Sequence, residues 1–357
     1  MALKPTKLPG VYSELDASRA ISLLPGSAHV IAIVSKFDSK IATPEEIAKI
    51  AGKKYVVTSY KDAKDTFKED STLSELCRVA FLNGAQKIIA MPIGDTTYKS
   101  AFEELSSEEA VRIVICDSNV STDLKELKTH VESASENRNE RIAVIGAEEN
   151  DDATAVAREA ADFRSNRIVF VDPAPLDDED VALPGCYMAA AVAGQIAASA
   201  SNDPAMPLTG AELKGLSGLS AKRSNSDLEA LITAGVSPVV TENGMISIVR
   251  AITTKVADDG IWTEVTTTLI ADDIICSVRN SLAAGYRRAK NSEQKRSNIK
   301  TDVITILEEK VNKQIIASYT EPTVRQKFGE SDKVEVEFGF NVISPMNQIL
   351  ISASLVV

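Results

Sequence analysis

The chain has 357 residues, 44% of them hydrophobic and 25% charged, and its formal net charge at pH 7 is −12. This length is too great for one ordinary hydrophobic core, so it predicts two or three domains. The acidic balance argues against a general binder of nucleic acid or of an anionic membrane surface, because phosphate groups are attracted to net basic surface.

The first segment, residues 1–25, contains Pro5, Pro9 and Pro25 and shows no helical period. It predicts an extended arm that packs with the core domain or with a neighbouring chain, since it cannot form a core by itself. The segment lacks the apolar centre of a signal peptide, and no uncharged run reaches the ~20 residues that a membrane span needs. We therefore expect synthesis in a bacterial cytoplasm and no membrane insertion.

Residues 26–204 alternate short apolar runs with amphipathic helices, which predicts an α/β domain with a largely parallel sheet. An alanine-rich helix closes this domain, and Gln195 within it favours a buried helix over a membrane span. The predicted strands are His29–Val34, Lys87–Met91, Arg112–Cys116, Arg141–Gly146 and Arg167–Asp172, and the predicted helices are Thr72–Asn83, Thr122–Asn137, Asp151–Arg164 and Gly185–Ser201.

Residues 205–345 read as an α+β domain, after a boundary near Asn202–Pro207. Asn243-Gly244 between two apolar runs is a strong hairpin signal. Strict alternation in Lys333–Val342 predicts another strand, with Val334, Val336, Phe338, Phe340 and Val342 on one face. The other predicted elements are helices Asp227–Ala234, Asp272–Arg288 and Asn298–Val311, and strands Ser237–Thr241 and Met245–Thr254.

The last segment, residues 346–357, reads as a terminal β-strand. Ile349, Ile351 and Leu355 alternate onto one face with Val357, while Leu350 and Val356 lie on the other. A long apolar edge that stays unpaired is a template for aggregation. Either the chain's own sheet or another subunit must therefore cover this strand.

Tests for catalytic chemistry mostly fail. The turn after Arg141–Gly146 carries acidic residues where a phosphate-binding loop has glycines, and those acids suit a helix N-terminus. His29 is expected in the core or at a domain edge, and His130 on the surface. The four cysteines are widely scattered, which indicates neither a zinc site nor a disulfide framework, so we expect reduced and mostly buried thiols. The acidic run Asp177–Asp180 is expected to be a solvated loop.

One basic cluster stands out between the last two predicted helices. It is either a solvated connection between helices or an electrostatic contact with an acidic protein partner. Nucleic acid is less favoured, because no aromatic residues interleave the charges. The cluster consists of Arg287, Arg288, Lys290, Lys295, Arg296 and Lys300.

Several stretches, taken in their order along the chain, point to a known family. In the N-terminal half these are Leu8–Tyr12, Val57–Phe67 (VTSYKDAKDTF) and Phe81–Ala90 (FLNGAQKIIA). In the C-terminal half they are Leu231–Val236 (LITAGV), Asn243–Thr254 (NGMISIVRAITT) and a helix near Asp272–Ile275, followed by the terminal strand. In this order they resemble contractile tail sheath proteins of phages and phage-tail-like bacteriocins, and the short chain suggests that optional outer domains are missing.

The resemblance implies a structural role without a catalytic site, cofactor or metal. Such proteins form stacked hexameric rings around an inner tube, assemble from a baseplate with a tail terminator protein, and shorten to drive the tube through an envelope. It implies that the terminal arms join small sheets of neighbouring subunits in a virion tail or tail-like particle. The residues so assigned are Leu8, Val11, Tyr12, Ile349, Leu350, Ile351, Leu355, Val356 and Val357, and the basic cluster becomes a candidate contact with the tube or a neighbour.

The alternative hypothesis is a cytoplasmic α/β enzyme whose termini close its own sheet. It predicts a discrete monomer or dimer with a small-molecule pocket at the carboxyl ends of the parallel strands.

Overall fold

A computed structural model describes residues 29–37, 42–94, 96–148, 152–256, 260–286 and 288–354. The N-terminal arm with Leu8, Val11 and Tyr12 lies outside these residues, as do Arg287 and the terminal Leu355, Val356 and Val357.

The described residues form fifteen strands and ten helices. The strands are β1 (Val30–Lys36), β2 (Tyr55–Val57), β3 (Ile88–Ile93), β4 (Val111–Cys116), β5 (Ile142–Gly146), β6 (Ile168–Asp172), β7 (Pro175–Leu176), β8 (Glu212–Leu213), β9 (Gly218–Leu219), β10 (Val236–Glu242), β11 (Met245–Ile248), β12 (Ile316–Tyr319), β13 (Thr323–Gln326), β14 (Val334–Glu337) and β15 (Phe340–Val342). The helices are α1 (Pro44–Ile50), α2 (Tyr60–Phe67), α3 (Thr72–Leu82), α4 (Tyr98–Leu105), α5 (Ser121–Glu136), α6 (Ala153–Phe163), α7 (Cys186–Asn202), α8 (Asn225–Ala234), α9 (Val265–Tyr286) and α10 (Glu293–Asn312).

Nine strands form one large sheet in the order β2-β3-β1-β4-β5-β6-β10-β11-β8. The six strands from β3 to β10 are parallel, and antiparallel strands lie at both edges. Helices cover both faces, so the central strands are apolar on both sides, and Ile31, Ala32, Ile33 and Val34 are fully buried. The predicted α/β class with a largely parallel sheet is confirmed.

The two faces of the sheet carry different helices. The buried residues of α2, α3 and α7 share one cluster with side chains of the sheet, and those of α4, α5 and α6 share the other. Helix α7 packs closely on α3, since a Cβ at Gly194 would lie only 2.5 Å from the carbonyl oxygen of Ala80. The prediction of a buried alanine-rich helix is confirmed. Within the described ranges no helix is both long and apolar enough to cross a membrane.

The large sheet continues past the domain boundary predicted near residue 205. Strand β10 pairs in parallel with β6, and the hairpin β10–β11 then extends the sheet. Its turn has φ of 53° at Asn243 and 80° at Gly244, as a two-residue hairpin turn requires. The hairpin therefore belongs to the same sheet as the strands before residue 205, a pairing that leaves no local sequence signal because β10 joins β6 only after a long connection.

The C-terminal unit consists of α9, α10 and a long hairpin. Its small core joins Ile270 and Ile274 of α9 to Val303 and Leu307 of α10. In the hairpin, β12 pairs with β15 and β13 pairs with β14. The single strand predicted over Lys333–Val342 is thus split in two, and backbone and side-chain hydrogen bonds between Gly339 and Thr320 bridge the break.

Candidate assembly surface

The chain leaves the hairpin after β15 as an exposed segment without regular structure. No residue between 343 and 354 belongs to a strand, so the predicted terminal strand is absent from the described part of the isolated chain. Its large apolar side chains face solvent, and Ile349, Leu350 and Ile351 are 74%, 93% and 86% exposed. A strand forms only where a neighbouring edge accepts its backbone hydrogen bonds, and no described edge of this chain does so.

The hairpin offers such edges. Among the described residues, β12 pairs only with β15 and β13 only with β14, so both long sides of the hairpin are unpaired. A two-stranded sheet is only marginally stable alone, and unpaired edges recruit further strands. The outward face is charged, with Arg325 paired to Glu335 at 3.1 Å and to Glu337 at 2.8 Å.

The inward face of the hairpin is only half covered. Its alternating residues pack against the core of α9 and α10, as the sequence predicts. None of them reaches full burial, whereas the central strands of the large sheet are buried almost completely. The described residues alone therefore leave this apolar layer incomplete. The residues of this inward face are Val334, Val336, Phe338, Phe340 and Val342.

Two ion pairs fix the C-terminal unit to the large sheet. Arg167, which precedes β6, donates two hydrogen bonds to Asp272 of α9, and Arg279 of α9 does the same to Glu140, which precedes β5. Burial alone would raise the pKa of Glu140, but hydrogen bonds, above all from Arg279, lower it to about 2. These contacts join α9 firmly to the α/β unit.

The predicted basic cluster is only partly available for binding. Arg288, Lys290 and Lys295 are exposed and form no ion pair with another described residue. Arg296 donates a hydrogen bond of 2.7 Å to the side chain of Asn291, and Lys300 pairs with Glu321 of the connection between β12 and β13. Part of the cluster therefore stabilises the C-terminal unit, and three cations remain on the surface.

The carboxyl ends of the parallel strands are where the alternative hypothesis places its pocket. A cavity of about 240 Å³ lies there, beside Asp117 at the end of β4. The Asp117 carboxylate accepts hydrogen bonds from the Tyr98 hydroxyl at 2.6 Å and the Ser35 hydroxyl at 2.9 Å. Burial raises the pKa of Asp117. Its oxygens are engaged within the protein, and this arrangement gives the enzyme hypothesis no support.

The two histidines have structural surroundings. His29 precedes β1, and its backbone N–H donates to the Ser201 hydroxyl at 2.8 Å. The prediction that His130 lies on the surface is wrong: it is 8% exposed, stacks on Phe102 and lies 3.2 Å from the Arg141 guanidinium. Burial, and then the charge of Arg141, lowers the pKa of His130 to about 4.

The acidic segments also have structural roles. Asp152 caps α6 by accepting a hydrogen bond from the backbone N–H of Ala155 at 2.7 Å, which confirms the helix-terminal interpretation. Asp177 accepts hydrogen bonds from the backbone N–H groups of Glu179 and Val181 and so closes its own loop. Among the described residues, no three acidic, histidine or cysteine side chains are grouped to hold a metal ion. Cys77, Cys116 and Cys186 are buried and free, as predicted.

Open hairpin edges beside an exposed apolar segment are typical of a subunit that assembles with other chains. Residues 92–254 match the central domain of phage tail sheath proteins, and residues 257–355 match the phage tail sheath C-terminal domain. The chain therefore belongs to the phage tail sheath family, which confirms the resemblance seen in the sequence.

Individual relatives agree with this family. The tail sheath protein of Mycobacterium phage Bxz1 is 25% identical over 305 residues, which cover 80% of this chain. The chain spans about half (52%) of that relative's length. The fold of the present chain is similar to that of a chain in the anti-feeding prophage baseplate. The TM-score is 0.75, the identity is 17%, and the match covers 99% of the present chain and 100% of the other. A chain of the contracted anti-feeding prophage helical sheath gives a TM-score of 0.74, 16% identity and coverage of 98% and 99%.

Proposed function

We propose that this chain is the structural subunit of a contractile tail sheath. Copies polymerise as stacked hexameric rings around an inner tube, and the sheath contracts to drive the tube through a target envelope without chemical catalysis. One observation carries the proposal: an exposed apolar segment at residues 348–354 accompanies a hairpin with open edges and a half-buried inner face.

The pairing we propose is β-augmentation between copies. The segment of one subunit adds as a strand to the hairpin edge of another, where main-chain hydrogen bonds give affinity and alternating side chains give register. Ile349 and Ile351 then continue the inward apolar layer, while Leu350 faces outward. Each subunit gives a strand and receives one, so the contact is heterologous and propagates into rings or filaments.

The residues outside the described ranges complete this scheme. Leu8, Val11 and Tyr12 belong to a second arm, and Leu355, Val356 and Val357 extend the C-terminal strand. Two arms per subunit suit a hairpin with two open edges. Contraction then needs no reaction, because a metastable lattice that gains contacts between subunits in its second state releases free energy as it shortens.

The exposed cations are proposed to contact the inner tube or a neighbouring subunit, with Arg287 as a further member. Their availability on the surface of the C-terminal unit supports an electrostatic contact with an acidic surface. Charge reversal by R288E together with K290E should weaken sheath–tube assembly at low salt. If sheath–tube assembly is intact in this variant, the proposed contact is wrong.

Baseplate and terminator proteins are further proposed partners. The proposed location is a tail or tail-like particle that is assembled in the cytoplasm.

The main experiment removes residues 348–357. Negative-stain electron microscopy of the full chain should show tubes or filaments, while the truncated subunit stays folded and unassembled. Circular dichroism establishes that the truncated chain folds. Long sheaths built by the truncated chain would show that the arm assignment is wrong, and a full chain that remains a discrete monomer or dimer would contradict the proposed function.

A matched pair of variants tests the pairing geometry. I351D places a charge against the apolar layer of the neighbouring hairpin and should abolish assembly, because a buried unpaired carboxylate is strongly unfavourable. L350D places the same charge one residue earlier, on the face directed to solvent, and should assemble. Equal effects of the two substitutions would exclude an alternating strand.

A further inference from the structure

The terminal segment has a defined root, which is the point where it leaves the body of the subunit. Asn347 is half-buried, and every described residue after it, from Gln348 to Ser354, is exposed. The preceding Pro345 is also half-buried and restricts the backbone at this point. Among the described residues, contact between the terminal segment and the rest of the subunit therefore stops at Asn347.

The Asn347 side chain joins three separate parts of the molecule. Its Oδ1 accepts a hydrogen bond of 2.9 Å from the Thr209 hydroxyl, in the connection between α7 and β8. Its Nδ2 donates to Glu264 Oε1 at 2.9 Å, next to the first residue of α9. The same carboxylate pairs with Arg250, which follows β11, at 2.6 Å. The segment is thus bound to the α/β unit and not only to the hairpin from which it emerges.

We propose that Asn347, with Thr209 and Glu264, is a clamp that fixes where the C-terminal arm leaves the subunit. This inference rests on the proposed function of the arm. The clamp makes Asn347 a positioning residue: it contacts no neighbouring chain itself but determines which edge of a neighbour the arm can reach.

The physical effect follows from the length of free chain. With the clamp closed, Gln348 alone separates the fixed point from the pairing residues that begin at Ile349, while with the clamp open the six residues 343–348 do. The effective concentration of a tethered strand falls as its flexible tether lengthens, so pairing weakens when the clamp opens. Loss of a fixed direction adds to this, because the two hydrogen bonds no longer hold the root in place.

The experiment measures the critical concentration for assembly by light scattering, with electron microscopy of the products. N347D sets a carboxylate against Glu264 and should raise the critical concentration about three- to tenfold. The control S344D adds the same charge three residues earlier, at an exposed side chain without a described contact, and should assemble as the unmodified chain does. Combining N347D with E264Q again places an amide opposite a carboxylate and should restore assembly.

A second measurement does not depend on assembly. A nitroxide on Q348C, in a C276S background with the other three cysteines buried, reports local motion at the root of the unassembled subunit. The spectrum should report an immobilised nitroxide when Asn347 is unmodified, a mobile nitroxide with N347D, and an immobilised nitroxide again with N347D plus E264Q. Equal mobility in all three would overturn the clamp, as would an unchanged critical concentration for N347D in a chain that assembles. A full chain that never assembles would contradict the proposed function instead. The spectrum would still show whether Asn347 fixes the start of the arm.

Discussion

The two units of this chain differ in how completely their apolar surface is covered. In the α/β unit, helices cover both faces of the sheet, and central strands such as β1 and β6 are buried. In the C-terminal unit, the hairpin is covered on one face, and its apolar residues remain half exposed. The first unit completes its own core. The second leaves an apolar layer incomplete among its described residues, and this is the layer that we propose other copies complete.

The two units also differ in net charge. Residues 29–256 contain 24 Lys and Arg against 35 Asp and Glu, whereas residues 260–357 contain 12 of each. Net charge on the α/β unit disfavours close packing between such units, while a neutral unit brings no net repulsion to a lattice. The whole-chain charge of −12 therefore says little about the surface that assembles.

The largest expected effect is a core deletion in the α/β unit. F170A removes a fully buried ring that packs on Phe163 and should lower the free energy of unfolding by about 3–5 kcal/mol. F340A removes a half-buried ring of the hairpin and should cost about 1–2 kcal/mol in the isolated subunit. Urea unfolding of both variants measures the difference, and an equal cost would contradict the comparison.

The next largest loss of stability is expected from a substitution at the contact between the two units. R279Q leaves Glu140 buried without its cationic partner and should destabilise by about 2–3 kcal/mol at neutral pH. Because the folded state lowers the pKa of Glu140 to about 2, the pair's contribution is present above pH 4.5 and is lost as the pH falls toward 2. Thermal unfolding should therefore show the two proteins converging in acid. A constant difference across this range would exclude the ion pair as the cause.

The smallest effect at neutral pH concerns the titration of His130 in the α/β unit, which acts only in acid. Its pKa is about 4 in the folded chain and near 6.5 when unfolded, so the unfolded state binds the proton more readily. Stability should be constant above pH 6.5 and fall as the pH drops from 6.5 to 4. H130Q removes this titration and should reduce the slope of that part of the stability curve, leaving the share of His29, whose pKa burial also lowers to about 4. The same slope in both proteins would show that other groups produce it.

Much of the α/β unit could be predicted from sequence, because buried parallel strands are continuous apolar runs. The five predicted strands correspond to β1, β3, β4, β5 and β6, and the predicted helices between them begin and end within two residues of the prediction. Strand β2 and helices α1, α2 and α4 were missed, since β2 has three residues and each of these helices has eight or fewer, too short to repeat an apolar pattern over several turns. The burial of His130 could have been found, since it neighbours Leu127, Val131 and Ala134 on the buried face of α5.

The assembly surface was only partly predictable. Alternation in Lys333–Val342 correctly gave the inward face of the hairpin, and the break beside Gly339 does not disturb this alternation; only the isolated glycine itself points to it. The terminal strand has the right pattern but no partner within its own described chain. Lys300 could not be separated from its exposed neighbours, because its partner Glu321 lies on a distant connection. Strand pairing and ion pairing between distant segments depend on tertiary structure, which periodicity does not report.

Hydrogen–deuterium exchange tests the central claim most directly, by comparing the unassembled and assembled full chain. The account predicts that amides of residues 348–354 exchange rapidly in the unassembled subunit and become protected in the sheath, together with one edge of the hairpin at residues 316–326 or 334–342. If sheaths form while residues 348–354 still exchange rapidly, this segment does not join a neighbouring sheet, and the account is contradicted.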